Sequence, residues 1–351
     1  MKKLLAILLV LMFALCLAAC APKADDATEA PSTPVEDPSN NGAEDPVEEP
    51  VAETGVKVGF SNCTMDSPFY GVLCKTAAEV AAENGIDLTY LDAGNDIEKQ
   101  NNDISDLLNQ GCNIMIINPV DPDAVSTGMD ACEEAGVPVF TVDRFCDGTY
   151  VAHIGVDNKL MGQMEGETAV ELLGGKGQAK GVILEVMGAT GCKVMKARSE
   201  GFHSIVDEEP GIEVVQTPYT EYTRSIAVEC ITDILQTRKD FNLIYSHCDD
   251  CAVGAYNTFC DFGLDDVYVV SIDGLREYVE LIADPNTNCY ATTSNDPIAI
   301  GNLLVDVLKE YIENGSVEQT FYDAGTELIT KDTAQQYLDK SDATFVGKLS
   351  T

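Results

Sequence analysis

Three features of the sequence predict an α/β protein made of two doubly wound parallel-sheet lobes. Short apolar runs rich in β-branched residues alternate with longer segments of helical period. Glycine repeatedly stands where a helical segment stops. The alternation runs once and then starts again, which yields more strands than one compact sheet of this kind holds. No internal sequence repeat accompanies the doubling.

The first round opens with a strand at 56–60. A helix at 69–84 follows, with Val72, Leu73, Ala77, Val80 and Ala81 on one face and Gly85 as its stop. A strand at 86–91 precedes a helix at 97–110, whose inward residues are Ile104, Leu107 and Leu108 and whose stop is Gly111. A strand at 114–117 opens into Asn118-Pro119. A helix at 123–135 ends at Gly136, and strands at 137–142 and 151–156 close the round. The second round has helices at 161–173, 192–206, 223–236, 251–262, 276–283 and 297–313. Between them lie strands at 181–186, 212–217, 243–246, 268–272 and 290–293.

The strand at 137–142 is apolar and β-branched, as suits burial on both faces. It runs directly into Asp143 and Arg144. Burying charge is costly, so both belong beyond the sheet at the strand's carboxyl end, where open α/β sheets bind ligands. A carboxylate beside a guanidinium offers two acceptor oxygens and five donors in fixed planes, the mixture that neighbouring hydroxyls need. An ion pair capping a loop explains the same two residues equally well. Other strand ends supply Ser61 with Ser67-Pro68-Phe69-Tyr70, Asn118, Arg198, Tyr222, Cys248-Asp249, Asp273 and Asn295. If the two sets of ends face each other, they enclose one cleft.

From about residue 56 onward the chain resembles the type I periplasmic sugar-binding proteins, most closely the ribose-binding branch. The stretches that carry the resemblance are SNCTMDSPFY, INPVDPDAV, VFTVDRF, HIGVDNKLMG, KARSEGF, GAYNTFCDFG, VVSIDG and TTSNDPIAIG, in the family's order. Each is weak alone; the ordered set is specific. The resemblance implies lobes made of 55–157 with 296–325 and of 158–295 with 326–351, joined by a hinge of several strands. It also implies a site. Phe69, Tyr70 and Tyr222 match aromatic positions that stack on sugar faces. Asn118, Asp143, Arg144, Arg198, Asp273 and Asn295 match positions that hydrogen-bond hydroxyls. Asn295 stands where the family often has Gln. Cys248, placed in the site, and Ser67 stand where relatives commonly have Asn. Cys is a weak hydrogen-bond partner, so these departures point away from ribose, toward a ligand with one fewer hydroxyl or a bulkier one.

The chain has 351 residues, 45% hydrophobic and 23% charged, with a formal charge of −38 from 21 basic and 59 acidic residues. Such acidity argues against nucleic acid and anionic membrane surfaces as partners. Lys2 and Lys3 followed by apolar 4–15 read as an export signal. Leu17-Ala18-Ala19-Cys20 resembles a bacterial lipobox, which implies cleavage after residue 19 and lipidation of Cys20. Residues 21–54 carry six prolines and many acidic and small residues. They read as a disordered linker spanning roughly 30 Å. The family fold also forms the sensor half of some repressors, but a signal peptide stands here in place of a DNA-binding helix-turn-helix. Thirteen cysteines, less Cys16 and Cys20, leave an odd eleven without a repeating framework. An exported protein normally pairs its thiols; many free cysteines would suit a source that lives without oxygen.

Other motifs carry less. The C-x-x-C of Cys248 and Cys251 reads as a wall residue and a core cysteine sharing a turn, against a redox pair or half a metal site. Three histidines and no second cysteine pair disfavour zinc. Gly174-Gly175-Lys176-Gly177 lacks the length and the Ser or Thr of a phosphate loop. Gly188-Ala189-Thr190-Gly191 is no nucleophile elbow. His153 and His203 read as structural.

The resulting expectation is an exported, lipid-anchored, monomeric binding protein without cofactor or metal, which delivers a sugar or related polyol to an ABC permease. The rivals are a ligand sensor for a membrane receptor or kinase, a binder of nucleosides or of carboxylated sugars held by Arg144 and Arg198, and an enzyme using Cys248 and His247.

Overall fold

The computed structural model describes residues 55–349; the signal segment, Cys20 and the acidic linker lie outside the described residues. In chain order the elements are β1 (Lys57–Asn62), α1 (Pro68–Glu83), β2 (Asp87–Asp92), α2 (Ile97–Asn109), β3 (Ile114–Ile117), α3 (Ser126–Ala135), β4 (Val139–Val142) and β5 (Ala152–Gly155). Then come α4 (Asn158–Leu172), β6 (Lys180–Val186), α5 (Lys193–Val206), β7 (Gly211–Gln216), α6 (Arg224–Leu235), β8 (Leu243–Ser246), α7 (Asp249–Asp261), β9 (Tyr268–Asp273), α8 (Arg276–Ala283) and β10 (Cys289–Ser294). The remainder is α9 (Pro297–Asn314), β11 (Phe321–Asp323), β12 (Leu328–Thr330) and α10 (Ala334–Lys340).

Two six-stranded sheets result, ordered β11-β5-β4-β3-β1-β2 and β12-β10-β9-β8-β6-β7. All neighbours are parallel except β12, which runs antiparallel to β10. Each sheet therefore has the doubly wound 2-1-3-4-5 order, and its topological switch lies between β1 and β3 or between β6 and β8. The central strands β3 and β4 are buried along their whole length, whereas β2 at the edge is half exposed. That division follows the sequence: IMII and VFTV are continuous apolar runs, DLTYLD is not. The chain passes between the sheets three times, after β5, after β10 and between β11 and β12.

The expected elements are all present, with shifted ends. β1 continues through polar Ser61 and Asn62, because Asn62 pairs in register with Asp92 and its side chain has partners inside. The helix expected from 123 begins at Ser126. Asp121 Oδ1 accepts from the amides of Asp123 and Ala124 and holds that stretch as a turn. β11, β12 and α10 were not foreseen. Three-residue strands are too short to show a period.

Candidate ligand-binding site

The carboxyl ends of both sheets meet over one small cavity. From the first lobe it is lined by Ser67, Phe69, Tyr70 and Asp143. From the second it is lined by Val194, Arg198, Tyr222, Cys248, Asp273 and Asn295. The void is about 20 Å3, on the order of one water molecule, so a ring-sized ligand enters only when the walls part.

On the first-lobe side, Ser67 caps α1 by accepting from the Phe69 amide, and Pro68 sets the first turn. This turn presents Phe69 and Tyr70, whose rings meet edge to face at 5.4 Å. The Tyr70 hydroxyl donates to Asp143 Oδ2 at 3.1 Å and accepts from Arg144 Nε at 2.9 Å. Arg144 lies over the Tyr70 ring at 5.4 Å and the Tyr222 ring at 5.8 Å. Asn118 accepts from the Arg144 amide and donates to Asn62 Oδ1. Neither Asn118 nor Arg144 lines the cavity; Arg144 holds Tyr70, which does, and Asn118 holds Arg144.

On the second-lobe side, Arg198 is positioned by a close helix pair. A methyl group on Gly162 of α4 would sit 2.1 Å from the Arg198 carbonyl oxygen, and one on Gly201 of α5 would sit 2.1 Å from that of Lys159. Glycine at both positions lets the backbones approach. Arg198 then donates to Asn158 Oδ1 at 2.8 Å, to the His247 carbonyl at 2.5 Å and to Asp273 Oδ1 at 3.4 Å. Asn295 donates to the same Asp273 oxygen at 3.4 Å. Behind the site, His247 Nε2 and His203 Nε2 both meet the buried Glu185 carboxylate. Burial opposes the Glu185 charge, but hydrogen bonds from His203 and His247 outweigh it and hold this carboxyl well below its usual range.

Burial raises Asp143, against the pull of Arg144 and Arg198. Burial likewise raises Asp273 to about 8, against Arg198 and with a push from Asp249. Asp249, also raised by burial, stands at about 7. Three lining residues occupy positive-φ backbone: Asp143 at 58°, Tyr222 at 56° and Asp273 at 137°. Such conformations are costly for side-chain-bearing residues and concentrate at functional sites. Two buried polar atoms at the cavity residues, Tyr222 Oη and Asn295 Oδ1, have no protein partner.

Sequence reasoning missed Val194, which shows no polar signal, and the buttresses Asn62 and Asn158, each a polar residue at or just past a strand end. Cys248 caps α7, its sulfur accepting from the Cys251 amide at 3.4 Å. Cys251 is buried, and the two cysteines share the first turn of α7. His153 is buried and stacked on Phe145 at 3.7 Å, and burial lowers it to about 3.

Two lobes that meet over one polar and aromatic cleft define a solute-binding protein. The family model for the periplasmic binding protein domain matches residues 58–316, and the chain belongs to that family, which is extracytoplasmic and binds solutes rather than transforming them. The ribose import binding protein of Bacillus subtilis is 30% identical over 264 residues, covering 75% of this chain and 84% of that one. The galactofuranose-binding protein of Escherichia coli is 27% identical, covering 81% and 90%. A crystal structure of an ABC transporter solute binding protein from Mycobacterium smegmatis with bound glycerol superimposes with a TM-score of 0.79 at 39% identity, covering 84% of this chain and 99% of that one. No described helix is long and apolar enough to cross a membrane.

Proposed function

We propose that this protein is a lipid-anchored solute-binding component of an ABC importer. It captures a sugar or related polyol between its lobes as a monomer and delivers it to the permease. The observation that carries the ligand class is the cleft itself. Asp143 from one lobe and Arg198, Asp273 and Asn295 from the other converge on it, and Tyr222 Oη and Asn295 Oδ1 lack protein partners there. Hydroxyl groups, each donor and acceptor at once, satisfy that mixture. Bound glycerol in the Mycobacterium smegmatis relative and the ribose and galactofuranose names of the other relatives support a polyol.

The lobes comprise 55–157 with 296–325 and 158–295 with 326–351. The three chain crossings support these limits and form a hinge. Ligand shifts the population toward the closed form because it touches both lobes. The sequence around Cys20 supports a lipid anchor, and the acidic 21–54 segment a tether.

The test is a thermal melt of the protein, unfolded and refolded to strip carried ligand, against pentoses, hexoses, deoxy sugars, cyclitols, nucleosides and amino acids. Ligand at 100 times its Kd stabilises by about 2.7 kcal/mol. A shift confined to sugars or cyclitols supports the reading; a shift confined to nucleosides or amino acids sinks it.

A further inference from the structure

The second-lobe wall of the cleft is divided along its sheet. Tyr222 follows β7, Val194 follows β6 in the first turn of α5, and Cys248 follows β8. These three strands are neighbours in the order β8-β6-β7. Val194, Tyr222 and Cys248 belong to one apolar cluster with Met187, Cys192 and Met195. Asp273 ends β9 and Asn295 follows β10, the adjacent strands on the other side. Val194 and Cys248 thus form an apolar facet, flanked by Arg198 on α5 and by Tyr222 Oη, while Asp273 and Asn295 are polar.

The one polar atom of the Val194 and Cys248 facet is already engaged, whereas Tyr222 Oη beside it has no protein partner. The Cys248 sulfur accepts the Cys251 amide at the head of α7. On the opposite lobe, Ser67 does the same for α1 through the Phe69 amide. A sugar hydroxyl set against Val194 and Cys248 would meet no acceptor beyond a weak sulfur, and a buried hydroxyl without a partner is costly. Asn295 Oδ1, on the polar side, is unpartnered and calls for a donor.

Resting on the polyol reading above, we infer that Val194 and Cys248 select a ligand with a hydroxyl-free carbon edge: a deoxy or methyl-bearing sugar. The edge lies against β6 and β8, and the hydroxyls face Asp273, Asn295 and Asp143.

The test is titration calorimetry on the refolded protein with matched pairs: D-ribose against 2-deoxy-D-ribose and 5-deoxy-D-ribose, D-galactose against D-fucose, and D-mannose against D-rhamnose. In at least one pair the deoxy sugar binds about tenfold tighter than its parent. V194T and C248N each narrow or reverse that preference while both sugars still bind, a change that mere loss of packing does not produce. Parents that bind as tightly as their deoxy partners in every pair overturn the inference and leave the polyol reading standing. Preference unmoved by both variants removes Val194 and Cys248 as its cause. Binding of none of these sugars overturns the inference, and the polyol reading is then decided by the wider melting panel.

Discussion

The two walls of the cleft handle their polar groups in opposite ways. In the first lobe they saturate one another: Tyr70 bridges Asp143 and Arg144, and Asn118 ties Arg144 to Asn62. In the second, Arg198 is held on three sides, yet Tyr222 Oη and Asn295 Oδ1 have no protein partner. The first wall is a preassembled surface and the second an incomplete one. A ligand in this cleft is therefore expected to gain most of its new hydrogen bonds from the second wall.

The largest effect is expected at Arg198. R198A leaves Asn158 Oδ1 and the His247 carbonyl buried without the donor that satisfies them, at a cost of about 1–3 kcal/mol each. Calorimetry should show ligand affinity reduced by at least about 100-fold, with a folded circular dichroism spectrum; normal binding would contradict the site. G188A comes next. A methyl group there would lie 2.4 Å from the Tyr222 ring, so the ring must leave its place and binding should fall strongly, while the fold persists.

The two tyrosines separate the walls most cleanly. Y70F removes a hydroxyl that bridges two buried charges and should lower stability by about 1–3 kcal/mol. Y222F removes a hydroxyl without a protein partner and should leave the melting temperature of the ligand-free protein nearly unchanged, yet weaken ligand binding. Equal stability losses for the pair would erase the contrast between the two walls.

The pH dependence is a smaller effect. Asp273 near 8 and Asp249 near 7 are raised by burial, so both hold protons in the folded state that the unfolded chain releases near pH 4. Their contribution is present below that pH and is lost as pH climbs through 7 and 8. His203, raised to about 9 by its hydrogen bond to Glu185, adds stability present below about 6.5 and lost as pH rises through 9. The depressed Glu185 acts at the other end and weakens the fold in acid. Melting temperature should therefore fall steadily from pH 6 to 9, and D273N should flatten the slope. A rise over that range would refute the burial of these carboxyls.

The architecture was legible because central strands such as β3 and β4 are continuous apolar runs ended by charged or turn residues, a pattern set locally. Asp143, Tyr222 and Asp273 could be picked out because polar and aromatic residues past apolar strands have few structural reasons to be there. Their backbone strain was not legible, since φ is fixed by the surrounding fold. Val194 escaped because a valine in a helix's first turn looks like core until the opposite lobe is placed against it. Asn118 and Arg144 carry the right chemistry, but which polar residue touches ligand and which supports its neighbour depends on distances of a few ångströms between strands.

All eleven cysteines of the described residues are free thiols, and only Cys230 and Cys260 are less than fully buried. Burial also raises Cys63 and Cys132 to about 11 and Cys146 and Cys289 to about 12, so at these four the native protein withholds both access and thiolate. A thiol reagent should thus label Cys230 and Cys260 first and spare the others until the chain unfolds. For an exported protein this makes oxidation a ratchet. Every excursion to the unfolded state exposes an odd number of thiols to mispairing, and no native disulfide is there to guide them home. Its lifetime outside the cytoplasm is then set by how rarely it unfolds, a rate, and not by the equilibrium balance alone.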